Sequence, residues 1–419
     1  MRNLEKYSQS FTKKELYKIL EKRDIDTNKD RQSKKDAVVL DAISDVERLF
    51  KANPLSPSRL EKKAIYNVKE MRHKLIVRKL QNNIRHTQVL NIINRTEIIS
   101  SLKNLAKEDL PYRFYKFDIK NFYESIDGKL IFKIIDELKN LTNLSKLLIK
   151  EILLYHGKMG GSGLPRGLSL SAALSELLMK PFDLTIVKDP RVFFYARFVD
   201  DIVLVTSGME CERVIFKFVK DELPNGLLLN KSKCKYVTIK ENKDEKYDET
   251  INYLGYSIRI AKIAAKLQSE QSANKKTVVI DISNVKIRRF KTRITRSLIS
   301  FGGDGDWNLL RDRIKFLTRT FAIINKNTGK KKIAGLYQSY PMINGASKAL
   351  LSLDVYLRRV LSETRSRLYK RSKFTLTAVQ KKKLSYPGFV KSYASGEKSE
   401  NFINFPSGRM ALIQKCWKG

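Results

Sequence analysis

The adjacent aspartates Asp200 and Asp201 constrain the fold of this chain more than any other feature of its sequence. They separate two apolar runs, Val192–Val199 and Ile202–Val205. Two strand-like runs joined by a two-residue polar tip predict a β-hairpin with both carboxylates at its turn. Asp is common in turns, so a solvated turn is the alternative interpretation. Neighbouring carboxylates repel each other unless a cation neutralises them, and Mg²⁺, which prefers oxygen ligands, is the natural choice.

The charge of the chain indicates a polyanionic partner. Its 419 residues carry 83 Lys and Arg against 44 Asp and Glu, a formal net charge of +39. A surface this basic repels itself in isolation, so nucleic acid is the leading class of partner. Ribosome or chromatin binding and an anionic membrane surface are also compatible with the charge alone. An apolar content of 42% indicates a folded protein.

We expect a reduced, cytoplasmic protein without a membrane partner. No stretch approaches the roughly 20 apolar residues of a membrane span, and Met1–Lys6 lacks the apolar run of a signal peptide. Cys211, Cys234 and Cys416 are too few and too scattered for a disulfide framework or a zinc site.

The spacing of apolar residues predicts a mixed α and β organisation. Residues 11–50 predict short helices with a capping box at Thr12–Glu15, and Asn53–Ser58 predicts a linker. Strand-like and helical patterns alternate from 112 to 260. Residues 286–332 predict two amphipathic helices whose apolar series run from Ile287 to Leu298 and from Trp307 to Ile324. Fourteen Lys or Arg against three Asp in this segment favour a phosphate-contacting face over a solvated one. The tail after Lys370 is basic, aromatic and irregular.

Four further segments contain candidate catalytic or ligand-binding residues. In Phe114–Ile119, strand alternation places Asp118 on the face opposite Tyr115 and Phe117, where it could join Asp200 around a metal. The glycine-rich stretch Gly157–Gly167 leads into a helix-like segment from Ser169 to Met179, which suits a base pair or phosphate close to the main chain. Further along, Lys233 follows a strand, and Ile251–Tyr256 predicts a short strand with a central glycine.

These segments, in this order, resemble polymerase motifs A to E of the reverse transcriptases. Any single motif is weak evidence for this family, whereas five motifs in the same order and with ordinary spacing are highly specific evidence for it. The resemblance covers roughly residues 70–330. Within the class, Phe122–Ile126, Ser171–Leu178 and the segment 286–341 resemble the bacterial defence-associated, antiphage "unknown group" enzymes. The five matching segments are Phe117–Tyr123 (A), Gly163–Gly167 (B), Phe198–Asp201 (C), Leu229–Lys233 (D) and Tyr253–Gly255 (E).

The resemblance implies an α+β right-hand polymerase fold with fingers, a palm containing an antiparallel sheet, and a helical thumb. The implied domains are an N-terminal helical extension (1–58), fingers and palm forming the catalytic core (59–260), a basic helical thumb (261–345) and a C-terminal helical or irregular basic appendage (346–419).

The resemblance also implies RNA-directed DNA polymerase activity at a two-ion site. Two Mg²⁺ about 3.5–4 Å apart stabilise the attacking and leaving oxygens of such a reaction, with Mn²⁺ as an alternative. Asp118 and Asp200 would bridge the ions, Asp201 would be a nearby or weaker ligand, and Ile119 is a further metal-binding position. Lys233 would lie near the pyrophosphate and protonate it.

Other positions are implied to bind the incoming nucleotide. Tyr123 corresponds to the steric gate, whose ring collides with a ribose 2′-hydroxyl and so favours deoxynucleotides. Arg166 and Gly167 would lie beside the incoming base pair, and Ile119 would also contact the nucleotide. Arg166 departs from the family, where Gln is common, and Ala172 stands where Pro is common. Two arginines of the fingers are implied to grip the triphosphate: Arg85 and Arg95.

The implied partners are a structured noncoding RNA template, deoxynucleotides and a DNA product, with a second copy or a partner protein left open. A retron- or group II intron-type reverse transcriptase is an alternative, as is a non-catalytic RNA-binding scaffold with a polymerase fold. The three aspartates argue against the scaffold, because drift would be expected to remove at least one. A template-independent or protein-primed mode is a further alternative, with the hydroxyl of Tyr386 or Tyr393 in the tail, or any surface Ser or Tyr hydroxyl, as the primer.

Overall fold

The computed structural model divides the chain into two compact units. The first comprises Met1–Ile93 and Leu110–Lys240, and the second comprises Asn94–Asp109 and Glu241–Gly419. The four predicted domain boundaries stay predictions. The residues that the structure describes are 7–21, 31–60, 63–87, 94–108, 110–239, 247–262, 276–324, 331–344, 346–363, 369, 374–396, 402–405 and 408–418.

Both units contain helices and strands. None of the helices in the described ranges is long and apolar enough to cross a membrane. The helices are α1 Lys13–Ile19, α2 Arg31–Glu47, α3 Met71–Thr87, α4 Arg95–Lys107, α5 Phe122–Ser125, α6 Gly128–Glu137, α7 Asn143–Lys158, α8 Ser169–Lys188, α9 Glu212–Asp221, α10 Asn284–Asp304, α11 Trp307–Thr318, α12 Leu336–Ser339, α13 Lys348–Ser362, α14 Ala378–Ser385, α15 Gly388–Gly396 and α16 Arg409–Lys415. The strands are β1 Leu55–Leu60, β2 Lys63–Val68, β3 Tyr112–Asp118, β4 Val192–Phe198, β5 Asp201–Thr206, β6 Lys235–Ile239, β7 Tyr247–Tyr253, β8 Tyr256–Lys262, β9 Lys276–Ile282, β10 Phe321–Ile324, β11 Lys331–Ala334 and β12 Ile403–Asn404.

The central sheet of the first unit is antiparallel, in the order β4-β5-β3-β6. Tyr115 and Phe117 lie on the predicted face of β3 and are fully buried. Phe216 of α9 packs edge-on against Phe117, with ring centroids 5.0 Å apart. Phe114, on the opposite face, is also buried, so both faces of β3 are covered. The helix predicted after the glycine-rich stretch is confirmed as α8, which packs against β4.

Two predictions for the N-terminal part of the chain are wrong. The linker predicted at Asn53–Ser58 is largely strand β1, which pairs antiparallel with β2 from Leu55 opposite Val68. Its prolines had indicated a linker, but β1 is an edge strand, where Pro is tolerated. The capping box is absent because the Thr12 side chain makes no capping hydrogen bond and Glu15 instead pairs with Lys18 at 2.7 Å.

The second unit is built on an antiparallel sheet in the order β7-β8-β9. The central glycine predicted for a strand lies instead in the turn between β7 and β8. Tyr253 and Tyr256 are paired across this turn, so its two residues are Leu254 and Gly255. Both have positive φ, 46° and 80°, as a two-residue hairpin turn that follows the strand twist requires.

The two amphipathic helices predicted between 286 and 332 are confirmed as α10 and α11. The second apolar series crosses a boundary, however, because α11 ends at Thr318 and Phe321–Ile324 is strand β10. The β-branched residues of this short run favour a strand. The irregular tail is also a wrong prediction, since α14, α15 and α16 lie within it. A capping box that joins Thr377 and Gln380 begins α14 and is a local signal for that helix.

Candidate active site

The three predicted aspartates lie at one end of the central sheet. Asp118 is the last residue of β3 and Asp201 is the first residue of β5, and the two are directly opposite in the antiparallel register. The main-chain amide of Ile119 donates a hydrogen bond to the Asp200 carbonyl at 3.1 Å. Because β3 and β5 are hydrogen-bonded neighbours, Asp118 and Asp201 come together at this edge although they are 83 positions apart in sequence.

The hairpin turn differs by one residue from the prediction. Phe198 pairs with Asp201, so the two turn residues are Val199 and Asp200, and Asp201 belongs to the strand. Val199 has φ of 61°, in the left-handed region that a β-branched residue rarely adopts. Such a conformation persists only where the surrounding structure holds it, and such positions cluster at functional sites.

A buried arginine holds this turn. The Arg197 side chain, which is 4% exposed, donates to the Val199 carbonyl at 3.1 Å. It also donates to both carboxylate oxygens of Glu176, at 3.0 and 2.7 Å, and of Asp183, at 2.8 and 2.7 Å. Burial alone lowers the pKa of Arg197, but the bonds to Asp183 and Glu176 outweigh it and raise that pKa well above its ordinary value. We call these three charged residues the arginine cluster.

The arginine cluster is a feature of the candidate site that the sequence reasoning missed. Glu176 and Asp183 are seven residues apart on α8 and therefore share a helix face. An arginine inside the apolar run before the turn needs buried partners. These two signals together could have indicated the cluster.

Two lysines contact the aspartates. The Lys233 ammonium lies 3.0 and 3.1 Å from the two carboxylate oxygens of Asp118. Asn230 donates to the same carboxylate at 3.1 Å. The Lys116 ammonium lies 3.6 Å from a carboxylate oxygen of Asp201. The structure thus brings the predicted catalytic lysine and Asp118 together.

Burial dominates the titration of the other two carboxyls. It raises the pKa of Asp200, and repulsion by the Asp118 carboxylate raises it further. Burial also raises the pKa of Asp201, where the Lys116 ammonium opposes the effect. Each shift reflects the cost of a negative charge that is incompletely compensated.

The donor set at this edge fits a divalent cation that prefers oxygen. Carboxylates that are partly buried and repel one another are stabilised by a cation between them. As they stand, no three His, Cys, Asp or Glu side chains of the described ranges are close enough together to hold a metal ion. The ammonium groups of Lys233 and Lys116 instead supply positive charge at Asp118 and Asp201.

Tyr123 and Arg166, both predicted to contact the nucleotide, are neighbours in the structure. The Arg166 guanidinium lies 5.3 Å from the centroid of the Tyr123 ring. It also forms a bidentate pair with Glu124, with distances of 2.8 and 2.9 Å. The hydrogen bond to Glu124 raises the pKa of Arg166, and burial raises the pKa of Tyr123. Glu124, which the sequence reasoning did not single out, therefore compensates the positive charge that distinguishes this motif from the family pattern.

The main chain at Gly167 lies close to the main chain of strand β2. Gly167 has φ of 105°, and a Cβ there would lie 2.7 Å from both the Tyr66 carbonyl oxygen and the Ile65 side chain. The Tyr66 amide donates to the Arg166 carbonyl at 2.8 Å. The glycine thus lets two protein segments touch beside Arg166.

The two predicted triphosphate-binding arginines lie in different units. Arg85 is exposed in the last turn of α3, in the first unit. Arg95 begins α4, in the second unit, where it donates to the carbonyls of Leu254 at 3.0 Å and Ser339 at 2.9 Å. Its guanidinium lies 4.8 and 5.0 Å from the ring centroids of Tyr256 and Tyr340. The triphosphate role of both arginines stays a prediction.

Comparison with known proteins identifies the central part of the chain. Residues 58–258 match the family described as reverse transcriptase (RNA-dependent DNA polymerase). The chain contains a reverse transcriptase domain. This is the domain of RNA-directed DNA polymerases, which are nucleotidyltransferases that use divalent metal ions. It contains the three aspartates, Lys233 and the arginine cluster, and the predicted α+β right-hand polymerase fold is confirmed.

The reverse transcriptase domain and its flanks are also similar to solved telomerase structures. No curated protein matches the sequence. Apo telomerase from Candida tropicalis, truncated from its C-terminal domain, is 16% identical over 44% of this chain and 43% of its own, with a TM-score of 0.31. Telomerase from Candida albicans in complex with a telomeric RNA fragment is 11% identical over 86% of this chain, with a TM-score of 0.34. The chain spans 61% of that protein.

Proposed function

We propose that the chain is an RNA-directed DNA polymerase that adds deoxynucleotides at a two-Mg²⁺ site. The observation that carries this proposal is the convergence of Asp118, Asp200 and Asp201 at one sheet edge within the reverse transcriptase domain. In the reaction, the 3′-hydroxyl loses its proton to solvent, its oxygen bonds to the α-phosphorus, the bond to the bridging oxygen breaks, and pyrophosphate leaves.

The residues at this edge have distinct roles in the proposed reaction. Asp118 and Asp200 would hold the ions, with Asp201 and the Ile119 position beside them. The chemistry that bound Mg²⁺ supplies is charge stabilisation at the attacking and leaving oxygens. The Lys233 ammonium, already at the Asp118 carboxylate, would donate a proton to the departing pyrophosphate. The Tyr123 ring would exclude a ribose 2′-hydroxyl.

The biological setting is also part of the proposal. Resemblance at Phe122–Ile126 and Ser171–Leu178 supports a bacterial antiphage reverse transcriptase, active in the cytoplasm. The net charge of +39 supports a polyanionic partner, and we propose a structured noncoding RNA as template. The template would be held mainly through its phosphates and its shape.

Sequencing of co-purifying nucleic acid tests the proposal. Wild type and the double variant Asp200→Ala, Asp201→Ala are compared with and without phage infection. We expect both to bind one noncoding RNA and only wild type to carry DNA complementary to it. The control, Asp221→Ala with Glu222→Ala, removes two exposed acids of the same unit and should behave as wild type.

Two other outcomes would contradict the proposal. Bound RNA without DNA from any variant under any condition would favour the non-catalytic scaffold. DNA unrelated to the bound RNA would indicate untemplated or protein-primed synthesis.

A further inference from the structure

The β7-β8-β9 sheet of the second unit has one covered face and one polar face. Ile258 and Ile260 of β8 and Val278 of β9 are buried. Strand alternation places Arg259 and Thr277 on the other face, and both are exposed. A sheet with one apolar and one polar face is typical of antiparallel sheets that present a surface to solvent or to a ligand.

A cavity of about 930 Å³ lies between this polar face, α10 and α13. Its volume is near the upper end of the range of about 300–1,000 Å³ for small-molecule pockets, which are mostly apolar. Here the lining instead includes four cationic side chains and several hydroxyls. We call it the basic groove, and its cations are Arg259, Arg288, Lys291 and Lys348.

The acids near the basic groove do not balance these cations. Asp281 is the single acid among the described residues that line it. Its carboxylate accepts from the Ser347 hydroxyl at 2.6 Å and from the Ala349 amide at 3.0 Å, so it caps the start of α13. Asp248 pairs with Arg259 through both carboxylate oxygens. Arg288, Lys291 and Lys348 therefore give the groove a net positive charge.

We propose that the basic groove binds a single strand of RNA. Charge complementarity favours a phosphodiester backbone, because each neutralised phosphate releases a condensed counterion. The hydroxyls of Ser257, Thr277 and Ser352 line the groove together with the cations. Such groups can bond the ribose 2′-hydroxyl, which distinguishes RNA from DNA.

This inference deepens the proposed function, since it assigns part of the template RNA to a site made wholly of second-unit residues. The groove would retain RNA in the absence of any nucleotide. RNA binding by the groove and DNA synthesis at the aspartates can therefore be tested separately, and either proposal can be refuted without the other.

Fluorescence anisotropy with labelled 20-nucleotide oligouridylate, without nucleotides or metal, tests the groove. The variant Lys291→Gln with Lys348→Gln removes two of its cations. Loss of two phosphate contacts should lower the salt slope of log K by about 1.4, which is roughly ten-fold weaker binding at 0.15 M salt. Replacing both lysines with Arg keeps the charge and should retain binding.

The matched control is Lys382→Gln with Lys383→Gln, which removes two exposed lysines of α14 outside the groove. Thermal unfolding confirms that each variant is folded. Equal affinity of the groove and control variants for oligouridylate would overturn the proposal, as would equal binding of oligouridylate and oligothymidylate by wild type. Primer extension by wild type on a preformed primer–template reports separately on the proposed polymerase activity.

Discussion

The contacts of the arginine cluster predict how much stability the substitution Arg197→Met removes. The substitution leaves Glu176 and Asp183 without their shared cation and removes the donor to the Val199 carbonyl. Removing one partner from a buried ion pair costs about 3–5 kcal/mol. The two carboxylate side chains keep 22% and 28% exposure, so we expect the lower end, about 3 kcal/mol. For a unit of this size that lowers Tm by about 6–12 °C.

The same substitution should slow nucleotide addition. Without its anchor, the turn that carries Asp200 can leave its left-handed conformation at Val199. A lost hydrogen bond to a charged group costs about 1.5–3 kcal/mol, and 1.4 kcal/mol expressed in the transition state is ten-fold in rate. We therefore expect at least roughly ten-fold slower single-turnover extension at a temperature where the variant is folded.

A triple variant separates stability from positioning. Adding Glu176→Gln and Asp183→Asn to Arg197→Met neutralises the two carboxylates that have lost their cation and should recover most of the lost Tm. The Val199 carbonyl still lacks its donor, so extension should stay slow. An unchanged Tm for Arg197→Met, or full activity of the triple variant, would refute this account of the turn.

Three further predictions concern the aspartates and their neighbours. Lys233→Gln should slow single-turnover extension by about 10²-fold or more. Lys231→Gln, which changes an exposed neighbouring lysine, should not slow it. Equal rates for the two variants would show that Lys233 does not take part in the reaction. Asp200→Asn should raise Tm in metal-free buffer at pH 7, because burial and Asp118 raise the pKa of Asp200 in the folded state. That penalty develops as pH rises from the ordinary pKa to the raised pKa and is complete above it, so the gain should shrink towards pH 4, and a gain independent of pH would contradict this account. Tyr123→Ala should increase ribonucleotide incorporation relative to deoxynucleotide by about 10–200-fold, while Tyr123→Phe keeps the ring and should leave the ratio unchanged in competition assays.

Local patterns were enough to predict the sheet edge that carries the aspartates. Alternation in Phe114–Ile119 predicted the face of Asp118, and the apolar runs around Asp200 predicted the hairpin. Each pattern depends on residues close in sequence. The one-residue error in the turn arose because Val199 adopts a positive φ that its side chain disfavours.

Features that depend on distant partners could not be predicted in the same way. The resemblance assigned Arg95 to the fingers, yet its partners Leu254 and Ser339 are 159 and 244 positions away. Strand β1 carries Pro and Ser and resembled a linker until its pairing with β2 was visible. In both cases the local sequence indicated the structure only weakly, and tertiary contacts determined it.

The position of α4 has a consequence for synthesis on the ribosome. This helix belongs to the second unit but is translated between two parts of the first. Its buried residues Ile98 and Leu102 lie on a helix that packs against β9, which ends at Ile282. At a translation rate of about 5–20 residues per second, β9 would be synthesised about 10–35 s after α4, and the apolar side of α4 would lack this partner until then. During this interval α4 is a candidate ligand for chaperones, and a fragment that begins at Glu241 lacks the helix altogether.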